Sequence, residues 1–253
     1  DFHSSLKRAQ QITVQDLTGG KKIELHTPRD LGEFELAEPE IREVKAPDGA
    51  VVRVLLYKPR RMESGRKYPM VVYAYGMPGV PSIKDSWEGN RGLFHQFLVQ
   101  QGFLVAQIDD RSSAIPGHKY AVSAYGRLGA LAAQDHEVAL RELQSLPFVD
   151  AESIAFWGWS GGGFLAAYHM THTRLFTAAV AVAPVMDWRL YDSIYTERYM
   201  GMPDQAPEAY DRASAVKAAA DLQGRLLLVH GTLDDNVHLQ NTIQMVDALV
   251  AHN

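Results

Sequence analysis

Ser160, Asp234 and Tyr75 are the side chains whose types and spacing could do chemistry, and that chemistry would be acyl transfer. Ser160 follows the apolar, aromatic run of residues 154–159 and is the central residue of Gly-x-Ser-x-Gly, followed by the helix-like residues 164–168. A buried strand, a sharp turn and a helix are what a nucleophile elbow needs, with glycines where flanking residues are too crowded for a Cβ. Gly158 and Gly162 supply that room. The helix N-terminus beyond the serine aims free N–H groups at a developing oxyanion, and Gly161 N–H is the first of them. An acyl-transfer serine needs a base, and the base needs an orienting carboxylate. In this chain order the acid follows the second strand after the elbow, within residues 230–236, and Asp234 is the candidate. Asp235 beside it is expected to cap the helix starting near Val237. A second oxyanion donor belongs in the loop after the strand at residues 68–75. Tyr75 could offer its phenol there, or it could be plain core packing.

The base is the missing part. It should follow the last helix and one more strand, which take roughly 20 residues, whereas the sequence given stops at Asn253. His252 reads as a solvated helix end, His238 as outward-facing and His230 as a satisfied histidine at a strand end, so none of the ten histidines is assigned. The catalytic His is expected outside these residues and the chain as given is expected to be catalytically incomplete.

The elements that must position these groups alternate strand and helix from residue 68 onward. Strands are expected at 68–75, 103–108, 154–159, 176–182 and 225–230, and helices at 91–101, 128–146 and 237–252, with a helix opening just after Ser160. Such alternation makes an α/β fold, a mostly parallel sheet with helices on both faces and ligand sites at the strands' C-terminal ends. Before it, a hairpin at 41–57 turns at Pro47-Asp48-Gly49, and another at 10–26 turns at Leu17-Thr18-Gly19-Gly20. One hairpin is marginal alone, so the first lies against the main domain or belongs to a sheet outside it. Residues 27–40 read as a linker. Residues 187–199 are expected to be helical, with Trp188, Tyr191 and Tyr195 on one face at i, i+3 and i+7. Such stripes are commonly core, but this one follows Ala183-Pro184-Val185 beside the elbow, where an aromatic slot would suit a flat, apolar ring.

Composition bounds the possibilities. A chain of 253 residues, 46% hydrophobic, has ample material for one large α/β core. The net charge of -5 and the lack of a basic stripe argue against a nucleic-acid partner. No apolar run reaches the ~18 residues of a membrane span, so a soluble protein is expected. The absence of cysteine removes disulfides, thiol nucleophiles and thiolate metal sites. The N-terminus carries neither a signal-peptide pattern nor a starting Met, so a piece of something longer is expected. The compartment stays open, with periplasm and secretion both compatible.

Taken together, Gly158-Trp159-Ser160-Gly161-Gly162, residues 191–201 (Tyr-Asp-Ser-Ile-Tyr-Thr-Glu-Arg-Tyr-Met-Gly), residues 230–238 (His-Gly-Thr-Leu-Asp-Asp-Asn-Val-His) and Lys67-Tyr68-Pro69 leading to Tyr75-Gly76 resemble the dipeptidyl peptidase IV branch of the prolyl oligopeptidase family. The resemblance runs from about residue 50 to the C-terminus. It implies an α/β-hydrolase domain at 36–253 and, at 1–35, the last strands of a β-propeller with its linker. It implies Ser160 as nucleophile, Asp234 as triad acid and Tyr75 as side-chain oxyanion donor. Val185, Trp188, Tyr191, Tyr195 and Val237 would line a pocket favouring proline or alanine, and Asn236 with Arg198 would hold a substrate carbonyl. A homodimer acting on peptides, with no cofactor and no metal, is the implied assembly. Two positions depart from the pattern. Gly161 stands where the family often has an aromatic that walls the pocket, so a wider pocket is expected. Asp110-Arg111-Ser112-Ser113 stands where glycines are usual. The propeller that normally grips a free N-terminus lies outside the chain, so dipeptide release cannot be read from these residues. An acylaminoacyl-type hydrolase or esterase on the same machinery, and a non-catalytic interaction module, are the rival readings.

Overall fold

Period-2 burial along the strands explains how the molecule is layered. In β5 (Val51–Tyr57), Val52, Val54 and Leu56 enter one apolar cluster while Leu55 and Tyr57 enter another; in β7 (Leu104–Asp109), Leu104, Ala106 and Ile108 oppose Val105 in the same way. A sheet buried on both faces must be covered on both. One cover is α1 (Gly89–Gln100), whose Val99 packs with Leu55 and Val105. The other is α4 (Ala130–Gln144) with α5 (Gly161–His172), which bring Leu131, Leu140, Leu143, Phe164 and Leu165 to the larger cluster. The computed structural model describes residues 1–28, 30–114 and 118–252.

The large sheet has seven strands in the order β10-β9-β8-β6-β7-β5-β4. Besides β5 and β7 these are β4 (Glu40–Lys45), β6 (Tyr68–Tyr73), β8 (Val149–Trp159), β9 (Ala178–Val182) and β10 (Arg225–Val229). Pairing is parallel from β10 through β7, and β5 and β4 close one edge antiparallel. The mostly parallel α/β sheet expected from the sequence is therefore present. The remaining helices are short, α2 (Arg111–Ala114), α3 (His118–Ser123), α6 (Ser193–Met200) and α7 (Pro207–Ala213), except α8 (Gln240–Ala251). Among the described residues, no helix is long and apolar enough to cross a membrane.

Three local expectations are corrected. Residues 187–199 are not one helix: a 3-10 turn at Trp188–Leu190 ends at Tyr191, and Asp192 caps a separate α6 by accepting from Tyr195 N–H at 2.7 Å. Two Asx-type caps five residues apart, Asp187 and Asp192, win over the helical spacing of the aromatics. The last helix starts at Gln240 rather than near Val237, and its N-cap is Leu239 without a side-chain bond, so Asp235 does not cap it. The hairpin of β2 (Arg8–Gln15) and β3 (Lys22–His26) gains an unforeseen partner, β1 (Phe2–Ser5). These three form a sheet of their own.

Candidate active site

Four parallel neighbours, β6, β8, β9 and β10, point their C-terminal ends the same way; Tyr75, Ser160, Gly161, Val185, Asp234, Asn236 and Val237 follow those ends directly, while Trp188, Tyr191, Tyr195 and Arg198 lie farther along the segment after β9. Register fixes the alignment: Tyr73 pairs with Trp157, Trp159 with Val182, and Val182 with Val229.

Ser160 leaves β8 with φ 57° and ψ −115°, in the left-handed region that costs a non-glycine residue on the order of 1–3 kcal/mol. Its N–H donates to Val182 O at 2.9 Å and its carbonyl accepts from Phe164 N–H at 2.9 Å, so the strain is held from both sides. A Cβ at Gly158 would overlap the Gly162 carbonyl, and one at Gly162 would overlap the Ala74 carbonyl. Only backbone without side chains lets the β8–α5 turn come this close to β6. Ser160 is half-buried and its hydroxyl has no hydrogen-bond partner among the described residues. Gly161 N–H opens α5 and has no intrahelical acceptor.

Tyr75 sits two residues beyond β6, half-buried, with its ring 6.4 Å from that of Trp159. Its loop is tied down by a chain the sequence did not suggest. Tyr75 N–H donates to Ser82 Oγ at 3.3 Å, and the Ser82 and Ile83 N–H groups both donate to the Asp109 carboxylate at 2.9 Å. Burial pushes Asp109 up to about 6 even against those two bonds. The neighbouring Asp110, fully buried, accepts from Ser112 N–H at 2.8 Å and from the Ser112 hydroxyl at 2.5 Å. The unusual Asp110-Ser112 pair thus closes its own loop.

Beyond β9, Val185 is buried and Met186 N–H donates to Asn241 Oδ1 at 2.9 Å. Asn241 of α8 also donates to Leu190 O at 3.3 Å, pinning the segment that carries Trp188. A lone asparagine on an amphipathic helix gave no signal of this. Trp188 and Tyr195 stack at 5.9 Å and 27°, and Tyr191 stands edge-on to both at 5.9 Å. The break after the 3-10 turn, rather than a helix face, brings the rings together.

Beyond β10, Asp234 Oδ1 accepts from Asn236 N–H at 3.1 Å and Val237 N–H at 2.9 Å. Its Oδ2 lies 3.6 Å from His230 Nε2. That imidazole is already engaged at both nitrogens, with Val237 O and with Thr242 Oγ1, each at 2.7 Å. Asn236 Oδ1 accepts from the Tyr191 hydroxyl at 3.2 Å, and Val237 is buried. Burial raises the Tyr191 phenol, the Asn236 bond lowers it, and Tyr75 and Asp234 raise it further. Tyr195, raised chiefly by burial, also feels Tyr75. The groups at 75, 191, 195, 234 and 236 therefore share one electrostatic neighbourhood. Arg198 is exposed on α6, and its guanidinium has no hydrogen bond or ion pair with a described residue. Cavities of about 640 and 750 Å³ flank residues 30–38 near α1, and no candidate residue lines them.

The sequence profile described as the prolyl oligopeptidase family matches residues 93–253. The chain belongs to that family. Within it, the chain is similar to the dipeptidyl peptidase IV branch. It is 38% identical over 205 residues to a protein of Fusarium vanettenii described as a probable dipeptidyl-aminopeptidase B, covering 79% of this chain and 22% of that protein. It is 36% identical over 227 residues to a probable dipeptidyl peptidase 4 of Aspergillus clavatus, covering 87% and 29%. The crystal structure of Porphyromonas gingivalis dipeptidyl peptidase 4 superposes with a TM-score of 0.91 at 33% identity, covering 100% of this chain and 36% of that one. The chain thus spans between a fifth and a third of the curated relatives' length. In this family the sheet is that of an α/β-hydrolase, and Ser160 follows the C-terminal end of β8, the third of its seven strands.

Proposed function

We propose that the protein to which this chain belongs is a serine peptidase that releases dipeptides from peptide N-termini after a penultimate proline or alanine, through an acyl-enzyme. The observation that carries the reading is Ser160, held at φ 57° at a helix N-terminus with a hydroxyl unbonded among the described residues, at the same end of the sheet as Tyr75, just past β6, and Asp234, past β10. In this reading Ser160 Oγ attacks the scissile carbonyl, and Gly161 N–H and the Tyr75 hydroxyl stabilise the oxyanion. Asp234, its Oδ1 anchored by two N–H groups, orients the imidazole that takes the serine's proton. No described histidine is hydrogen-bonded to Ser160, and His230 spends both nitrogens elsewhere, so that imidazole comes from outside the described residues. Residues 1–253 alone are then inactive.

Val185, Trp188, Tyr191, Tyr195 and Val237 form the pocket for the residue before the cut. A proline ring buries apolar area there with little rotamer entropy to lose. Asn236, aligned by Tyr191, holds a substrate carbonyl; Arg198 is free to swing to the same carbonyl from α6. A homodimer belongs to this reading, and sedimentation of the full-length protein checks it.

The test assays the full-length protein on Gly-Pro and Ala-Ala anilides, N-acetylated peptides and simple esters. Dipeptide release that acetylation blocks is expected. Turnover of acetylated peptides or esters alone overturns the dipeptidase reading, and failure of fluorophosphonate to label Ser160 overturns hydrolysis altogether.

A further inference from the structure

Gly161 has a neighbour that the elbow does not require. A Cβ built on Gly161 would overlap Met77 Cγ and come within 3.0 Å of Met77 Sδ. Met77 is buried, at 2% exposure, and its place is fixed at the backbone, where its carbonyl accepts from Val80 N–H at 3.0 Å and Gly79 N–H donates to Ser112 O at 2.9 Å. Because the overlap falls near the root of the side chain, rotation about the last bonds of Met77 does not relieve it. The side-chain space of residue 161 is therefore filled from residue 77, two positions after Tyr75.

That space lies beside the bond being broken. When Ser160 Oγ is acylated, the carbonyl oxygen sits against Gly161 N–H, and the α-carbon of the residue before the cut is one bond from the carbonyl carbon. Its side chain must leave within a few ångströms of the Gly161 α-carbon, and the atoms filling the Cβ direction from that carbon are Met77 Cγ, Sδ and Cε. We propose that Met77 is a specificity-determining residue: its thioether forms the oxyanion-side wall of the acyl pocket, taking the position that a side chain at 161 would otherwise hold. The inference rests on the acyl-enzyme reading above. An unbranched thioether with three rotatable bonds yields more readily than a ring. The pocket so walled accepts proline and alanine but adjusts to longer unbranched side chains as well.

The test uses the full-length protein and dipeptide anilides with Pro, Ala, Leu, Met or Phe before the cut. Met77→Ala should shift kcat/KM toward Leu, Met and Phe over Pro and Ala by about tenfold or more, the scale on which a methylene or two in an apolar pocket discriminates. Gly161→Phe alone should lose activity on every substrate. Met77→Gly/Gly161→Phe should recover it with a preference narrowed to Pro and Ala. Met77→Leu, similar in volume, carries the ratio test if the glycine variant does not fold, and should lower turnover of Met against Leu substrates. Tyr75→Phe should depress all five substrates alike, which separates a wall from an oxyanion donor. Unchanged ratios in Met77→Ala, or a Gly161→Phe variant that is equally active with Met77 present, overturn the proposal. If the wild type cleaves no dipeptide anilide, the peptidase reading fails first. The wall is then read from Ser160 labelling rates by fluorophosphonates with short and bulky alkyl groups, where Met77→Ala must favour the bulky probe or the proposal falls too.

Discussion

Ser160 keeps an unfavourable backbone because its neighbours leave it no alternative: Val182 O and Phe164 N–H hold its two sides, and the glycines admit no side chain between the turn and β6. Strain of this kind clusters where a reactive group must be presented. Gly158→Ala drives a methyl into the Gly162 carbonyl, and backbone cannot rotate aside. Stability should fall by about 2–4 kcal/mol in urea titrations, with labelling of Ser160 lost in parallel. A variant as stable as wild type would mean the turn has room the geometry denies. Tyr75→Phe removes one hydroxyl and leaves the loop tied through Ser82 and Asp109. Its kcat should drop by about 10²–10³-fold with KM little changed, the scale measured for one oxyanion donor. A loss confined to KM would return Tyr75 to the core packing that spacing alone left open. The Gly158–Ser160 turn is legible in sequence, because Gly158 answers to Gly162 four residues on, whereas the contacts of Gly161 with Met77 and of Gly162 with Ala74 are not. The Asp109–Ser82–Tyr75 tie is not, since it joins residues 27 and 7 apart through backbone groups every residue possesses.

At the scale of elements, α4 and α5 are joined under β8 by a pair of buried imidazoles. His136 Nδ1 and His169 Nε2 share one proton at 2.9 Å, the rings stack at 5.1 Å, and Phe156 and Phe176 close over them. The outer nitrogens, His136 Nε2 and His169 Nδ1, have no hydrogen-bond partner among the described residues. Burial lowers both, His136 to about 4, with the adjacent charges of His136 and His172 adding to His169 and Asp135 opposing weakly at His136. A base whose folded pKa is depressed leaves the native state with fewer protons than the unfolded one, so stability is lost as pH falls from about 6.5 toward 4. Asp109 works in reverse. Its folded pKa is raised to about 6 from 3.8, so its contribution is greatest at low pH and is lost as pH rises through 6. The two slopes oppose over the same window. His136→Leu/His169→Met should therefore be near neutral at pH 7.5, since both partners leave together, and more stable than wild type at pH 5. Asp109→Asn should do the opposite, steepening the acid loss. Urea midpoints at the two pH values check both; parallel shifts at pH 5 and 7.5 would sink the account. Helix and strand existence here follows from periodicity, but the aromatic stripe did not survive: side-chain capping by Asp187 and Asp192 outweighed i, i+3 spacing and built the ring cluster from a bend.

At the scale of the molecule, alternation of strands and helices sufficed for the parallel sheet, because both-face burial leaves no other arrangement for such apolar runs. It did not suffice for β1, which lacks an alternating pattern and exists as a strand only because β2 offers it an edge. The β1–β3 sheet has little to bury: Phe2, Leu17, Ile23 and Leu25 are all more than half exposed. Among the described residues its ties to the larger sheet's side include Leu6 packing against the Leu55–Val105 cluster, Leu6 N–H to Asp85 Oδ1 at 3.1 Å, Trp87 N–H to Ser4 Oγ at 3.3 Å, and a solvent-exposed Lys7–Glu38 pair at 2.7 Å, which water screens. Three strands without a covered apolar face are not stable by themselves. We propose accordingly that residues 1–35 take their stability from a separate module of the full-length protein, while 36–253 draw on the core between α1, the sheet, α4 and α5. Hydrogen exchange across a urea series on the full-length protein distinguishes the two units. Amides of β2 and β3 should lose protection at a urea concentration different from that of β6 through β9, and together with segments outside residues 36–253. A single midpoint shared by β2, β3 and the central strands would make residues 1–35 part of the hydrolase unit and end the division drawn at residue 35.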